Sequence, residues 1–411
     1  MARYDSAWVS GLALAVIVGI GGCEMRGMPF AGRAGRTAGP VTVYVANAGD
    51  DTVTPILAAS NTAGKPIRVG RGPAQIAISP DGQTAYVVGA GGLLPGAAAP
   101  VTLTAIRTAT NRPGPIVTVC ARGNPENIAI AITPDTIAIT PDNRTVYVSC
   151  PGTGEVVPVR ARADTAAKPI RISSPGALAM TADGRTMYVA NFLGDTITPI
   201  STATDEPGQP IIVGQTPDAM AITPGGKTVL VLTGTGVTPV DAATNRAGKP
   251  VAIEGAHALA VAPGGVTAYV LAQPNPDSQQ GFVVPVHIRA STQGNPIKVG
   301  LSPQRIAFTP DGKMAYVTNS ASESVTPIQL TDGRAEPAIA AGKVPTRLAV
   351  SPDGKTVYVL DSNPFGGLSP GVLFRRSPFG RGRVIPIRVA TNTPEGPIKV
   401  GRFPIAIAIA S

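Results

Sequence analysis

The chain has 411 residues, of which 43% are apolar, 14% charged and 4% aromatic, with 48 glycines, 42 prolines and a formal net charge of +9. The glycines lack a three-residue period, which excludes collagen, and prolines punctuate the whole length, which excludes long helices. Two histidines and three cysteines leave little material for a metal set or a catalytic nucleophile, and no cofactor fingerprint is found.

Residues 1–22 are expected to be a signal peptide. Arg3 supplies a weak positive start, and an uncharged run follows, centred on Leu12, Leu14, Val16, Ile17 and Val18. That run is short for a membrane-spanning helix. It ends in Ile20-Gly21-Gly22-Cys23, which resembles the lipobox of bacterial lipoproteins. The resemblance implies acylation of Cys23 and a place on the outer side of the cytoplasmic membrane, with plain secretion as the alternative. Residues 23–41 read as a flexible tether. Its Arg26, Arg33 and Arg36 would each add ~1 kcal/mol on an anionic surface.

From residue 42 to the end, one phrase recurs: Pro-Ile-Arg-Val-Gly, a short linker, an apolar strand, Ser/Thr-Pro-Asp-Gly, then Thr-x-Tyr-Val. The aligned aromatic position is Tyr44, Tyr86, Tyr147, Tyr188, Leu230, Tyr269, Tyr316 and Tyr358, at intervals of 42, 61, 41, 42, 39, 47 and 42 residues. This is the period of a four-stranded propeller blade. Strand A is typified by Gln75 to Ser79, strand B by Thr84 to Val88, strand C by the Val-Thr-Pro-Ile type and strand D by Pro66 to Gly70. Pro-Asp-Gly supplies the A–B turn. The long interval holds an insertion at 89–100 and a duplication, Ile130 to Asp135 echoed by Ile137 to Asp142. Strands of type C recur near Val53, Val101, Val156, Ile197, Val237, Val283, Val325 and Val384, which predicts eight blades, with seven as the alternative.

The repeated region opens on a B strand (Val41 to Asn47) and closes on an A strand (Ile405 to Ala410). Pairing these two completes one blade from both ends and leaves no sheet edge at the seam. The fold class predicted is therefore an all-β propeller closed by its terminal strands. The chain resembles the YVTN-family propellers, whose letters stand at Tyr316-Val317-Thr318-Asn319, with near-matches at Tyr44 to Asn47 and Tyr188 to Asn191. The resemblance implies fold and export more than activity. Related lactonase-type propellers add an expectation of hydrolysis that the residues do not support.

Function must be argued from a site. Asp81, Asp183, Asp311 and Asp353 each precede the turn glycine, and a turn role explains them. Arg68, Arg171, Lys298 and Lys399 share one place on strand D, where a cation discourages sheet-to-sheet pairing. The charge is thus spread round a rim, so nucleic acid is not the expected partner. Strand A lines the channel, and its entry residues differ between blades: Gln75, Asn127, Asp218, His257, Arg305 and Arg347, with Glu126 beside them. Gln75, Asn127, His257, Arg305 and Arg347 form the candidate ligand set, in which the two arginines suit a carboxylate or phosphate.

The insertions at 89–100, 272–281 and 361–383 should decorate one face. The last carries Phe365, Phe374, Phe379, Arg375, Arg376, Arg381 and Arg383, an interface-like composition. Phe374, Arg375, Arg376, Phe379 and Arg381 form the candidate partner-contact loop. Cys120 and Cys150 end neighbouring strands and, once Cys23 is acylated, are either bridged or free.

The expected function is a monomeric, non-enzymatic, lipid-anchored binding scaffold for an envelope component or protein partner. The alternatives are a lactonase-like hydrolase using His257 and Arg305 at the channel mouth, and a polyanion- or DNA-binding propeller.

Overall fold

The computed structural model describes residues 40–91, 100–120, 136–275, 277–362 and 380–411. Eight antiparallel sheets follow one another, and each is one blade. Blades are numbered by their B strands, from Thr42–Asn47 in blade 1 to Thr356–Asp361 in blade 8. The A strands neighbour one another in a closed cycle. They run Pro404–Ala410, Pro73–Ile78, Ile137–Ile139, Pro175–Met180, Ala219–Ile222, Ala256–Val261, Pro303–Phe308 and Pro345–Val350, then return to the first.

Closure is as the repeat phase predicts. Pro404–Ala410 pairs antiparallel with Thr42–Asn47, placing Val43 opposite Ile409 and Val45 opposite Ile407. Of the duplicated segment, Ile137–Ile139 is the A strand of blade 3. The first copy lies outside the described residues.

Strand D departs from expectation in seven blades, where it forms two short pieces on opposite ends of strand C. The cause is the proline in Val-Thr-Pro-Ile. Pro55 accepts a hydrogen bond from Gly64 N (2.7 Å) on the D side, so its missing N–H also faces that strand. The outer strand bows there and pairs again beyond. Blade 2 carries Ala105 in place of the proline, and its outer strand Arg112–Cys120 is continuous.

The core is eight cores, one in each seam between consecutive blades. Period-2 alternation on the B strands gives each blade two apolar faces, and each face closes on its neighbour. Each repeat tyrosine points into the seam with the next blade.

There the tyrosines make a second, polar connection. Tyr44 Oη donates to Asn111 Oδ1 (2.6 Å), Tyr188 to Asn245 (2.6 Å), Tyr316 to Asn392 (2.8 Å) and Tyr358 to Asn61 (3.1 Å), while Tyr147 donates to Asp205 (2.5 Å). Every acceptor sits in the C–D turn of the next blade with positive φ, between 51° and 58°. Asn and Asp tolerate that left-handed conformation, so one residue makes the turn and clasps the seam. Burial pushes the Tyr44, Tyr188, Tyr316 and Tyr358 phenols up to about 12, keeping them protonated donors.

Three seams lack the clasp. Tyr86 of blade 2 feels the charge of Asp164, at the turn position of blade 3, without a hydrogen bond to it. Leu230 of blade 5 has no hydroxyl, and Ser291 stands opposite. Tyr269 of blade 6 meets Gly333 at the turn position and instead packs against Phe308 at a centroid distance of 5.5 Å. Tyr188→Phe should therefore cost about 1–1.5 kcal/mol in urea unfolding, since it strands the Asn245 oxygen. Tyr269→Phe should stay within about 0.5 kcal/mol. Equal losses would contradict the clasp.

The Asn of the Tyr-Val-x-Asn phrase is also structural. Asn47 Nδ2 donates to Thr54 Oγ1 (2.8 Å) and its Oδ1 accepts from Gly401 N (3.0 Å). Asn191 and Asn319 brace their own C strands in the same way, through Thr198 (3.0 Å) and Thr326 (2.9 Å).

Candidate functional site

Antiparallel alternation puts all B–C turns and D–A linkers on one face, the loop face, and all A–B and C–D turns on the other. The first described strand begins at Thr42, opposite Ala410, so the chain enters the ring on the turn face. Ser411 there lies against Gly82 of the neighbouring A–B turn.

The A–B turn aspartates have the turn role. Asp183 Oδ1 accepts from Thr181 Oγ1 (2.7 Å) and Arg185 N (3.0 Å), and Asp311 and Asp353 repeat the pattern. These bonds hold the three carboxyls below the usual range. The strand-D cations Arg68, Arg171, Lys298 and Lys399 are exposed along the rim.

At the channel mouth the entry residues do not share one register position. A bulge follows the first residue of strand A, so Gln75, Arg305 and Arg347 pair with Val88, Thr318 and Leu360, while His257 stands within the bulge between Ala256 and Ala258. Asp218 holds the equivalent of the His257 place, just before Ala219, which pairs with Leu232.

Their bonds tie the ring together. Gln75 Oε1 accepts from Thr136 Oγ1 (2.7 Å) and Thr136 N (3.1 Å) across the seam between blades 2 and 3. His257 Nε2 reaches Pro303 O (2.8 Å) across the seam between blades 6 and 7, and Nδ1 lies 3.1 Å from Gly255 O. Ser149 and Ser362 serve the same purpose, capping Pro175 O (2.9 Å) and Pro404 O (2.8 Å). The strand-A bulge leaves that carbonyl to be satisfied from the preceding blade. Both nitrogens of His257 thus face main-chain carbonyls, which is poor placement for a general base. Burial pushes its pKa down, opposed by the two carbonyls and reinforced by Arg305.

Arg305 is 7% exposed, with Nη1 donating to Gln304 O (2.7 Å) and its main-chain N to Thr318 Oγ1 (3.1 Å). Arg347 is part-buried beside it in the next blade. Asn127, Glu126, Phe374, Arg375, Arg376, Phe379 and Cys23 lie outside the described residues. Arg381 is exposed at the start of a C strand, opposite Arg402.

Asp218 is the strained member. Burial raises its pKa to about 6 and Arg305 moderates the rise. A carboxyl raised in the fold adds stability below its unfolded pKa near 4, and that stability is lost as pH rises through 6. Asp218→Asn should therefore stabilise the protein at pH 7.5 by on the order of 2 kcal/mol, and by almost nothing at pH 3.5. Thermal melts of both proteins across this range check the sign. A pH-independent gain would contradict it.

Cys120 and Cys150 are joined by a disulfide, with Cα atoms 5.9 Å apart, linking blades 2 and 3. Among the described residues no group of three His, Cys, Asp or Glu is placed to hold a metal ion.

The class defined is an eight-bladed β-propeller. No family model matches the chain, and no curated protein matches its sequence. Solved structures do. The dihydro-heme d1 dehydrogenase NirN in complex with DHE superposes with a TM-score of 0.67 at 15% identity, over 93% of this chain and 77% of that one. A hydrazine synthase chain from Kuenenia stuttgartiensis gives 0.57 at 20% identity, over 78% of this chain and 96% of that one. A putative 6-phosphogluconolactonase from Bacteroides uniformis gives 0.53 at 16% identity, over 90% of this chain and 99% of that one. At these identities the likeness is one of fold.

The tyrosine clasps escaped the sequence reading. Their signal is the Thr-Asn pair that recurs before strand D, as at Thr110-Asn111, Thr244-Asn245 and Thr391-Asn392.

Proposed function

We propose that the chain is an exported, lipid-anchored binding scaffold that holds its loop face away from the membrane. The observation that carries this is the entry of the chain on the turn face, at Thr42. A tether running from an acylated Cys23 to that point would leave the D–A linkers and B–C turns facing outward. The disulfide between Cys120 and Cys150 supports an oxidising compartment. Gln75 and His257, which a hydrolase would need mobile, are engaged across seams, and this favours a rigid frame over a reactive pocket.

The test is fractionation of cells that express the chain. The protein should sediment with membranes, and Cys23→Ala should release it to the soluble fraction. A soluble cytoplasmic protein with unbridged Cys120 and Cys150 would overturn the reading.

A further inference from the structure

The loop face is electrically divided. In blades 4 to 6 its turns and linkers are residues 192–195, 214–218, 234–235, 253–257 and 273–279, and these contain Asp195, Asp218, Glu254 and Asp277 but no lysine or arginine. On the opposite half, blades 8, 1 and 2 carry Arg71, Arg381 and Arg383, all exposed, and Arg402, which pairs with Asp50 (2.6 Å), while Asp51 there accepts from Gly72 N (2.8 Å).

The acidic half is one continuous surface. Asp195 O accepts from Val213 N (2.9 Å), Gln215 O from Gly234 N (2.9 Å), Thr235 O from Ile253 N (3.1 Å) and Gly255 O from Gln273 N (2.9 Å). These bonds lead step by step from the blade 4 turn to the blade 6 turn.

It is also apolar. Leu193 is 71% exposed and Ile212 75%. Ile212 occupies the strand-D place where Arg68, Arg171, Lys298 and Lys399 guard other blades, and Ala252 takes that place in blade 5. Between blades 5 and 6 lies a groove of about 640 Å³, lined by Ile253, Pro274, Phe282 and Val284, with Glu254 at its rim. It opens because the blade 5 turn is only Gly234-Thr235 while the blade 6 turn spans 273–279. It continues the Leu230 seam, one of those without a tyrosine clasp.

Resting on the scaffold reading above, we propose that this sector binds an extended basic and apolar segment of a partner protein. Its apolar side chains would fill the groove, and its lysines or arginines would face Asp195, Glu254 and Asp277. Acids spread over three blades suit a polymer better than a compact ligand, and the unguarded strand at Ile212 offers main-chain partners to an extended chain. Charge of one sign on the turns and linkers of this half, with Lys298 on the strand beside Phe282, sets the register of such a segment.

The probe is a short fluorescent peptide of alternating lysine and leucine, with glutamate–leucine and lysine–serine peptides as controls, measured by anisotropy on the full chain. The lysine–leucine peptide should bind best. Asp195→Lys with Glu254→Lys should weaken it by about tenfold or more. Thr235→Trp, which fills the groove, should weaken it without altering the melt. Arg71→Glu with Arg381→Glu should leave it unchanged. Binding that ignores the acid reversal or falls equally with the arginine reversal overturns the proposal, as does failure of the lysine–leucine peptide to bind. Preferred binding of glutamate–leucine through Arg71 and Arg381 also overturns it, yet leaves the scaffold reading standing.

Discussion

A chain truncated after Phe403 is expected to lose cooperative folding. The deleted strand, Pro404–Ala410, covers the full length of Thr42–Asn47. It also contributes Ala406 and Ala410 to the seam between blades 1 and 2, and Ile409 to the seam between blades 8 and 1. Its removal exposes Val43, Tyr44 and Val45, all now 0% exposed, and leaves a long apolar edge. Apolar burial at about 25 cal/mol per Å² makes the loss exceed ~5 kcal/mol, comparable with a domain's whole stability. Circular dichroism in a urea series reads the outcome. A permuted chain that joins Ser411 to Val41 and opens at another D–A linker should fold normally, because the strand is retained and only the connection moves. A truncated chain with a sharp transition would show that the terminal strands do not hold the ring.

The second large effect concerns the disulfide. Cys120 and Cys150 are 30 residues apart in sequence, and closing a loop of that length restricts the unfolded chain by about 3.5 kcal/mol. Cys120→Ala with Cys150→Ala should therefore lower unfolding stability by about 2–4 kcal/mol, and reductant should impose the same loss on the unmodified chain while leaving the variant alone. Reductant that moves both proteins alike would mean that the bond is not made.

Much of this fold is readable from spacing. Seven tyrosines at one repeat position and a B-to-A phase between the chain ends lead to eight blades and a shared closing sheet. The broken outer strand was not read, because the effect of Pro55 depends on which neighbour its missing N–H faces, and that is a property of the paired sheet. The candidate site was less legible. Gln75 and His257 differ between blades, as ligand groups would, and in the fold each also bonds across a seam, to Thr136 and to Pro303. The division of the loop face was no more legible. Asp195, Glu254 and Asp277 lie in separate turns and linkers and come onto one face only when blades 4, 5 and 6 stand side by side.

On the proposed reading the ring is exported, anchored from its turn face and open to partners on its loop face. Single cysteines placed at Leu193 on the loop face and Val266 on the turn face, which are 71% and 65% exposed, can be reacted in intact cells with a bulky, membrane-impermeant maleimide. Leu193→Cys should label faster than Val266→Cys in the anchored protein, and the difference should vanish when Cys23→Ala releases it. Labelling only after lysis, or faster labelling at position 266, would contradict the account.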